Sequence, residues 1–422
     1  EFGITNSQYG ALQSSVSIVN TVLPLIGGIF IDAFGTIPGS ILTTVLIACG
    51  NILVAASTSS RNLLMMIFGR VLYGIGSGTV VIVQETILSQ WFQGRSLAAV
   101  IALMLTVSRL SSFLAQATVV PIANWSGWYG YGFWFSALLC VFSLVVNLIY
   151  IILLKTVRSL NIKKDCQVQR NVIKKKKSFS WTKLMYLPHS YWLIAAMEFL
   201  LGGAWGCFLH INRFGYDNST AAAVASVAQF LPIFIMPFLG FFVDKYGKRT
   251  WMMTGSGLTF LLSLLLLEYT HLHPLLGLVS FSVSLALGPV ALVSSVPLIL
   301  PLSLVGTGMG LIKSCTNIGA SLFDIITGLL QDHDPNKGYN GVMFFFVIIG
   351  ILAILAGITL FILDRAIYGH TLDARKNQQD QQNSGAKRSL MNKKLRSNYF
   401  YGGLYVVLAM TSWILFFRYV LF

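Results

Sequence analysis

Gly240-Phe-Phe-Val-Asp244-Lys-Tyr-Gly247-Lys248-Arg249 closes one apolar run of this chain, and Gly28-Ile-Phe-Ile-Asp32-Ala-Phe-Gly35 closes another, 212 positions earlier. The shared pattern, G-x-x-x-D-x-x-G, puts a small residue where neighbouring helices approach and an aspartate where the helix leaves the apolar layer, placed to meet another helix N-terminus. A pattern that recurs at the matching place in two halves marks an internal repeat. One apolar span precedes the second copy within its half and none precedes the first. On this symmetry the first helix of the first half is expected to be missing from the chain, and Glu1 in place of an initiator Met points the same way.

Around the two copies the apolar residues fall in blocks near 20, the length that crosses a hydrocarbon layer of about 30 Å. The blocks predict spans at 10–32, 37–58, 63–90, 97–121, 132–154, 190–212, 220–243, 250–270, 274–300, 303–330 and 341–364, with one more at 399–420. Of the 422 residues, 55% are hydrophobic and 10% charged, against roughly 25% charged in an ordinary soluble domain. Mean hydropathy is +0.73. These values exclude a soluble globular enzyme and predict an all-α polytopic membrane protein. The expected organisation is a first helical bundle at 1–154, a basic cytosolic linker at 155–189 and a second bundle at 190–364. A disordered cytosolic tail at 365–398 and an extra transmembrane or interfacial helix at 399–422 follow.

The formal charge of +15 raises nucleic acid as a partner, and the placement of the basic residues decides against it. With the linker cytosolic, 22 of the 29 Lys and Arg fall in inside segments, including Lys174 to Lys177, and only Arg61, Arg213 and Lys337 in outside loops. That asymmetry is the positive-inside signature of membrane topology. The lysine run is expected to touch anionic membrane lipid. Two sequons, Asn124-Trp-Ser126 and Asn218-Ser-Thr220, fall in outside loops and are the candidate glycosylation sites.

Ionisable side chains inside spans are costly, at least ~2.5 to 3.5 kcal/mol at a helix centre, and usually face a cavity or a partner. Here they are Glu85, Arg109, Glu198, Lys313 and Asp324, with Arg70 nearer a helix end and His210 and Glu268 close to the outer interface. Charges of both signs suit a zwitterionic or anionic small solute, because Arg presents a planar fork to a carboxylate while an acid meets an ammonium. Arg109 is the candidate carboxylate anchor, with Glu85, Lys313 and Glu198 as further substrate-binding residues. The competing reading is that these charges pair with each other and lock one gate state. Lys313 and Asp324, eleven residues apart on one helix, can pair only with other groups. Arg70, Asp32, Asp244, Gly240, Gly247, Lys248, Arg249 and Asp324 are assigned to coupling or gating. Proton coupling would rest on Glu85, Glu198 and Asp324. Pro24, Pro232, Pro237, Pro289 and Pro297 interrupt spans and mark candidate hinges.

The paired loop motif, with its basic Lys248-Arg249 ending in the second copy, resembles the signature of the major facilitator superfamily, as does Arg70-Val-Leu-Tyr-Gly74-Ile-Gly76 in the fourth native helix. The first copy departs, with Thr36-Ile37 where basic residues stand. A nearer resemblance is to the lysosomal dipeptide transporters of that superfamily. It is carried by Gly69 to Gly76, Gln84, Trp91-Phe-Gln-Gly94-Arg95 and Arg109, by Tyr9, Asn20, Leu23-Pro24 and Gly27-Gly28, and by Gly306-Thr-Gly308-Met-Gly310, Asn317, Gly319 and Gly328. Gly78 stands where that resemblance places an acid, and Glu85 follows two turns on. The resemblance implies a major facilitator fold of two six-helix bundles, alternating access, dipeptides or amino acids as substrate and a lysosomal or vacuolar membrane. It also leaves room for a lumenal glycoprotein accessory subunit.

Several alternatives stay open from the residues alone. His271-Leu-His273 and twelve methionines raise transition-metal transport, copper above all, but no Met-rich or Cys/His cluster forms. An organic anion would suit Arg109 equally. From another class, the chain could be a non-transporting sensor or accessory subunit. No cofactor and no metal site are expected. The five cysteines show no CxxC spacing, no phosphate-binding G-x-x-x-x-G-K-[ST] occurs, and no nucleophile and base converge in short outside loops, which argues against any enzyme.

Overall fold

The computed structural model describes residues 18–92, 96–128, 130–161, 187–208, 218–269, 273–301, 304–333, 340–374 and 397–421. Among them the chain forms twelve helices and no strand. The first bundle holds α1 (Leu23–Phe34), α2 (Thr36–Ser60), α3 (Leu63–Phe92), α4 (Leu97–Ser126) and α5 (Gly130–Asn161). The second opens with α6, which runs from His189–Met197 through a π turn at Glu198–Gly202 into Gly203–Phe208. It continues with α7 (Asn218–Tyr246), α8 (Arg249–Tyr269), α9 (Pro274–Ile299), α10 (Val305–His333) and α11 (Asn340–Ala366). The last helix is α12 (Ser397–Leu421). Among the described residues seven helices are long and apolar enough by themselves to cross a membrane. The chain is a multi-pass membrane protein.

Two seams join the bundles, α1 against α10 and α4 against α7. Lipid is as apolar as leucine, so helices associate by close packing and not by expelling water. The first glycine of each loop motif meets that demand. A Cβ on Gly28 would collide with the Gly306 carbonyl of α10, and one on Gly240 would stand 2.6 Å from the Ala102 Cβ and 2.8 Å from the Ala99 Cα of α4. The last glycine of each motif ends its helix with a positive φ, 98° at Gly35 and 74° at Gly247. Their N–H groups donate to Ile31 and Val243 at 2.8 Å, satisfying carbonyls the helix end would leave bare. Gly240→Val is therefore expected to force the α4/α7 seam apart at a cost of about 1 to 3 kcal/mol, read as a lower melting temperature of the purified protein. Phe241→Val, at the exposed position next to it, is the matched control and should leave melting unchanged.

Burial is uneven in a way that suits this architecture. α9 is the central helix of the second bundle, with Phe281, Leu285, Val290 and Val296 buried against Phe260 of α8 and Met309 of α10. α5 instead exposes Leu138, Phe142 and Ile152, an outward apolar face fit for lipid.

Three features depart from the sequence expectations. The first span, expected as continuous over 10–32, is broken in its described part. Residues 20–22 form a turn in which Thr21 N–H donates to Ile18 O at 3.1 Å, and α1 begins only at Leu23, with a proline in its first turn. Pro24 lacks an N–H, so a helix starts more readily than it continues there. The expected tail at 365–398 is ordered through its first ten residues, because Asp364 accepts the Leu372 N–H at 3.1 Å and buries Leu372 on the bundle. Its later residues, 375–396, lie outside the described residues, as does most of the linker at 155–189. The sequons are not in free loops: α4 runs through Ser126 to its terminator Gly127 (φ 68°), and Asn218 is the first residue of α7. The side-chain surroundings of Asn124 and Asn218 lie outside the described residues. The extra helix expected at 399–422 is α12, and it packs against α10, where Ser412 meets Ser321 at 3.1 Å.

Candidate functional site

A cavity of about 950 Å³ lies between the bundles, walled by α3 and α4 on one side and α6, α9 and α10 on the other. All four residues assigned to substrate from the sequence, Glu85, Arg109, Glu198 and Lys313, line it. Each arrives from a different helix. Around them stand Trp205 and Leu285 with Met309, which make the remaining wall largely apolar.

Glu198 owes its position to a local irregularity. It opens the π turn of α6, where one extra residue per turn re-aims a side chain. Its Oε2 accepts the Thr316 hydroxyl of α10 at 3.0 Å, and Gly202, a turn on, leaves room for that carboxylate. Thr316 lies one turn after Lys313 on α10, so the same helix face presents the ammonium. Lys313 is within electrostatic reach of Glu198 and also of Glu85, which projects from α3 of the other bundle. Both carboxylates are buried, Glu85 at 6% and Glu198 at 7% exposure. Two acids from opposite bundles thus face the same cavity as one lysine.

Arg109 is differently placed. It is half-buried on α4, and one guanidinium nitrogen donates at 3.4 Å to Gln229 Oε1 of α7 across the seam. That contact with a neutral amide orients the fork without neutralising it. Summed over the cavity the four formal charges cancel, but they are segregated: a cation with an amide neighbour at α4, and an acid-rich group around Lys313.

Of the residues assigned to gating, Asp32, Gly240, Asp244, Gly247, Lys248 and Arg249 lie at one end of the bundle, the end that the basic-residue count places in the cytosol. Asp32 is buried, and its carboxylate accepts three hydrogen bonds at the start of α10: Gly306 N–H at 3.1 Å, Thr307 N–H at 2.6 Å and Thr307 Oγ1 at 2.7 Å. Asp244 does the same at the start of α4, accepting Ala98 N–H at 3.1 Å and Ala99 N–H at 2.8 Å. A carboxylate on bare N–H groups at a positive helix end is favourable twice over. Each aspartate ties its own bundle to the opposite one, so in this structure the two seams are both closed at the motif end.

The second motif carries further ties. Arg249 is buried, its Nε donating to Ser294 Oγ of α9 and an Nη to Leu372 O, both at 3.3 Å. Asp373 accepts Thr250 N–H at 3.0 Å and Thr250 Oγ1 at 2.5 Å at the start of α8, while Lys248 is exposed and its N–H reaches Asp373 O at 3.4 Å. The segment after α11 therefore docks on the motif loop.

The other two residues assigned to gating, Arg70 and Asp324, are neither at the motif end nor in the cavity lining. Arg70 lies on α3 fifteen residues before Glu85, about 22 Å along the helix axis, within reach of Tyr73. Asp324 is exposed on α10 and is not among the residues that line the cavity. His210 and His271 lie outside the described residues. Sequence reading missed Trp205 and Gln229. Trp205 is buried, its indole N–H donates to Ser284 Oγ at 3.1 Å, and its ring forms cavity wall. The available signal was a lone tryptophan inside the small-residue run Gly202-Gly-Ala-Trp-Gly206. Among the described residues no group of three or more His, Cys, Asp or Glu comes together to hold a metal ion.

Comparison with known proteins bears on this geometry. The Major Facilitator Superfamily matches residues 1–211 and again residues 189–422. The lysosomal dipeptide transporter MFSD1 of Danio rerio is 27% identical over 386 residues, which cover 86% of this chain and 80% of that protein. Its Homo sapiens counterpart is 26% identical over 390 residues, covering 87% and 80%. Among solved structures, the human organic anion transporter MFSD10 (TETRAN) superposes with a TM-score of 0.63 at 16% identity, over 83% of each chain. The proton:xylose symporter XylE bound to 6-bromo-6-deoxy-D-glucose gives 0.64 at 15% identity, over 85% of this chain and 87% of its own. At those identities the two structures show a shared fold.

Proposed function

The chain belongs to the major facilitator superfamily and is a transporter, not an enzyme, and from that premise we propose that it carries dipeptides, with amino acids as the nearest alternative, across a lysosomal membrane by alternating access. The observation that carries this reading is the segregation of charge in the cavity. Arg109, oriented by neutral Gln229, offers its fork to a carboxylate. Glu85 and Glu198 have one cavity lysine between them, Lys313, so one carboxylate is left for an ammonium. A zwitterion with its charges at opposite ends fits that division. The cavity volume of about 950 Å³ lies at the upper end of the roughly 300 to 1,000 Å³ common for small-molecule sites, and the walls of Trp205, Leu285 and Met309 accept varied apolar side chains. The MFSD1 relatives, named as lysosomal dipeptide transporters, support the substrate class and the membrane.

The cycle follows from the seams. With Asp32 and Asp244 holding the motif end shut, the cavity is offered to the other side. Rocking the bundles breaks those ties and opens the cytosolic side. Proton coupling is a second reading favoured by one observation: when Lys313 serves one of its two acids, the other needs a counter-ion, and a proton can take the place of the substrate ammonium.

The test is uptake into proteoliposomes of labelled dipeptides, single amino acids, an organic anion without an amino group, and Cu(I). Saturable dipeptide uptake is expected, with little for the anion. Uptake confined to the anion or to Cu(I) would overturn the substrate assignment. Blocking the dipeptide amino group by acetylation is expected to cut uptake about tenfold or more, the worth of a hydrogen-bonded charge. In the Glu85→Gln/Glu198→Gln double variant that discrimination should fall to near unity. An imposed pH gradient that leaves uptake unchanged would remove the proton reading alone.

A further inference from the structure

The loop motif is asymmetric: the second copy has Lys248-Arg249 and a docked segment after α11, whereas the first has Thr36-Ile37. It is the α1/α10 seam, the one served by the poorer copy, that α12 covers. Its anchors in the second bundle are plain. Asn398 donates to Leu187 O at 3.0 Å and accepts the Trp192 indole N–H at 3.0 Å, Tyr401 stacks on Trp192 with ring centres 5.4 Å apart, and Ser412 meets Ser321 at 3.1 Å. Further along, α12 crosses to the first bundle. The Trp413 indole N–H donates to Thr21 Oγ1 at 2.8 Å, and Thr21 Oγ1 in turn donates to Ile18 O at 2.7 Å.

Thr21 is the residue at which the first span is broken, so its carbonyl is not taken up by a continuing helix. Ser314 of α10 donates to that carbonyl. A serine hydroxyl has one proton, so the Tyr405 hydroxyl, 2.7 Å from Ser314 Oγ, must be the donor of that contact. Two chains of hydrogen bonds thus run from α12 onto one buried threonine, one directly and one through α10. Eleven residues separate Thr21 from Asp32, about 16 Å along the chain if helical, which sets this contact well away from the motif end, at a threonine with no exposed surface. The other face of α12 is apolar and exposed at Phe400, Val407, Met410 and Ile414, as lipid contact requires.

We propose that α12 is a cross-bundle tie that holds the α1/α10 seam in its motif-end-closed arrangement, through Trp413 and Tyr405 acting on Thr21 and Ser314, and that it stands in for the basic pair the first loop motif lacks. These are positioning residues: none lines the cavity. Ser314 directly follows Lys313, so the same tie fixes the α10 face that presents the cavity ammonium. The proposal rests on the alternating-access reading but not on the substrate.

Spin labels on cysteines placed at Phe34 and Ile367, both exposed at the motif end and in opposite bundles, report opening as a longer distance, measured in nanodiscs with the full chain and reactive native cysteines replaced. Trp413→Phe and Tyr405→Phe keep the rings and remove one donor each. Each is expected to raise the long-distance fraction about threefold, the usual worth of one interhelical bond in a membrane. Ending the chain after residue 396 should raise it tenfold or more. Thr21→Val added to Trp413→Phe should have no further effect through Trp413, so the pair is expected to be non-additive. Unchanged distances in both point variants, or strict additivity of the Thr21 and Trp413 changes, would overturn the proposal. The point variants decide it even where the truncated chain does not fold. Because a distance and not uptake is read, failure of the dipeptide assignment would show separately.

Discussion

Arg109→Ala is expected to abolish dipeptide uptake. Of the four cavity charges, Arg109 has a neutral amide as its hydrogen-bond partner, so a substrate carboxylate is the anion it is arranged to receive. Losing a bidentate, charge-assisted contact in a partly desolvated site costs about 3 kcal/mol or more, which is roughly a hundredfold in affinity. Equilibrium binding of a labelled dipeptide and initial uptake rates should fall together. Arg109→Lys keeps the charge and loses the planar fork, so about a tenfold deficit should remain. Gln229→Leu removes only the orienting contact and should weaken binding a few-fold. Uptake that survives Arg109→Ala within a factor of three would place the carboxylate elsewhere in the cavity, with Lys313 as the next anchor to remove.

Asp32→Ala should release the α1/α10 seam. Three donors converge on that buried carboxylate, two of them backbone N–H groups at the bare start of α10. In the closed arrangement alanine leaves Gly306 and Thr307 without an acceptor, whereas an opened seam lets water reach them. The closed state is therefore penalised relative to the open one by about 3 kcal/mol, near a hundredfold in the ratio of the two. A cysteine at Ser108, a cavity-lining position, would report this as faster labelling by an impermeant maleimide from the motif side. Asp244→Ala should act in the same direction but more weakly, since Asp244 accepts two bonds and its loop is also held by Arg249 and Asp373. Equal labelling rates in Asp32→Ala and the parent protein would show that the seam is held by packing around Gly28 and not by the carboxylate.

The cavity charges were legible because an ionisable group in a membrane span has few places to go. Glu85, Arg109, Glu198 and Lys313 were identified by cost alone, and all four line one space. Asp324 met the same test and yet stands exposed on α10, since span membership says nothing about which side of a helix faces inward. Trp205 and Gln229 carried no charge to betray them. Their roles depend on partners 79 and 120 residues away in sequence, Ser284 and Arg109 respectively.

The membrane architecture, the repeat and the pairing of each motif aspartate with a helix start were properties of the sequence itself. Apolar block length, the distribution of Lys and Arg, and a small residue four positions before an acid are local patterns, and the bilayer converts them directly into spans and ends. Tertiary structure alone decided which helix starts receive Asp32 and Asp244, that α6 bends through a π turn at Glu198, that the first ten residues of an apparently disordered tail dock on Lys248 and Arg249, and that α12 lies over the α1/α10 seam. Each of these depends on two segments distant in the chain meeting in space. A polar group's partner is set by that meeting and not by the residues on either side of it.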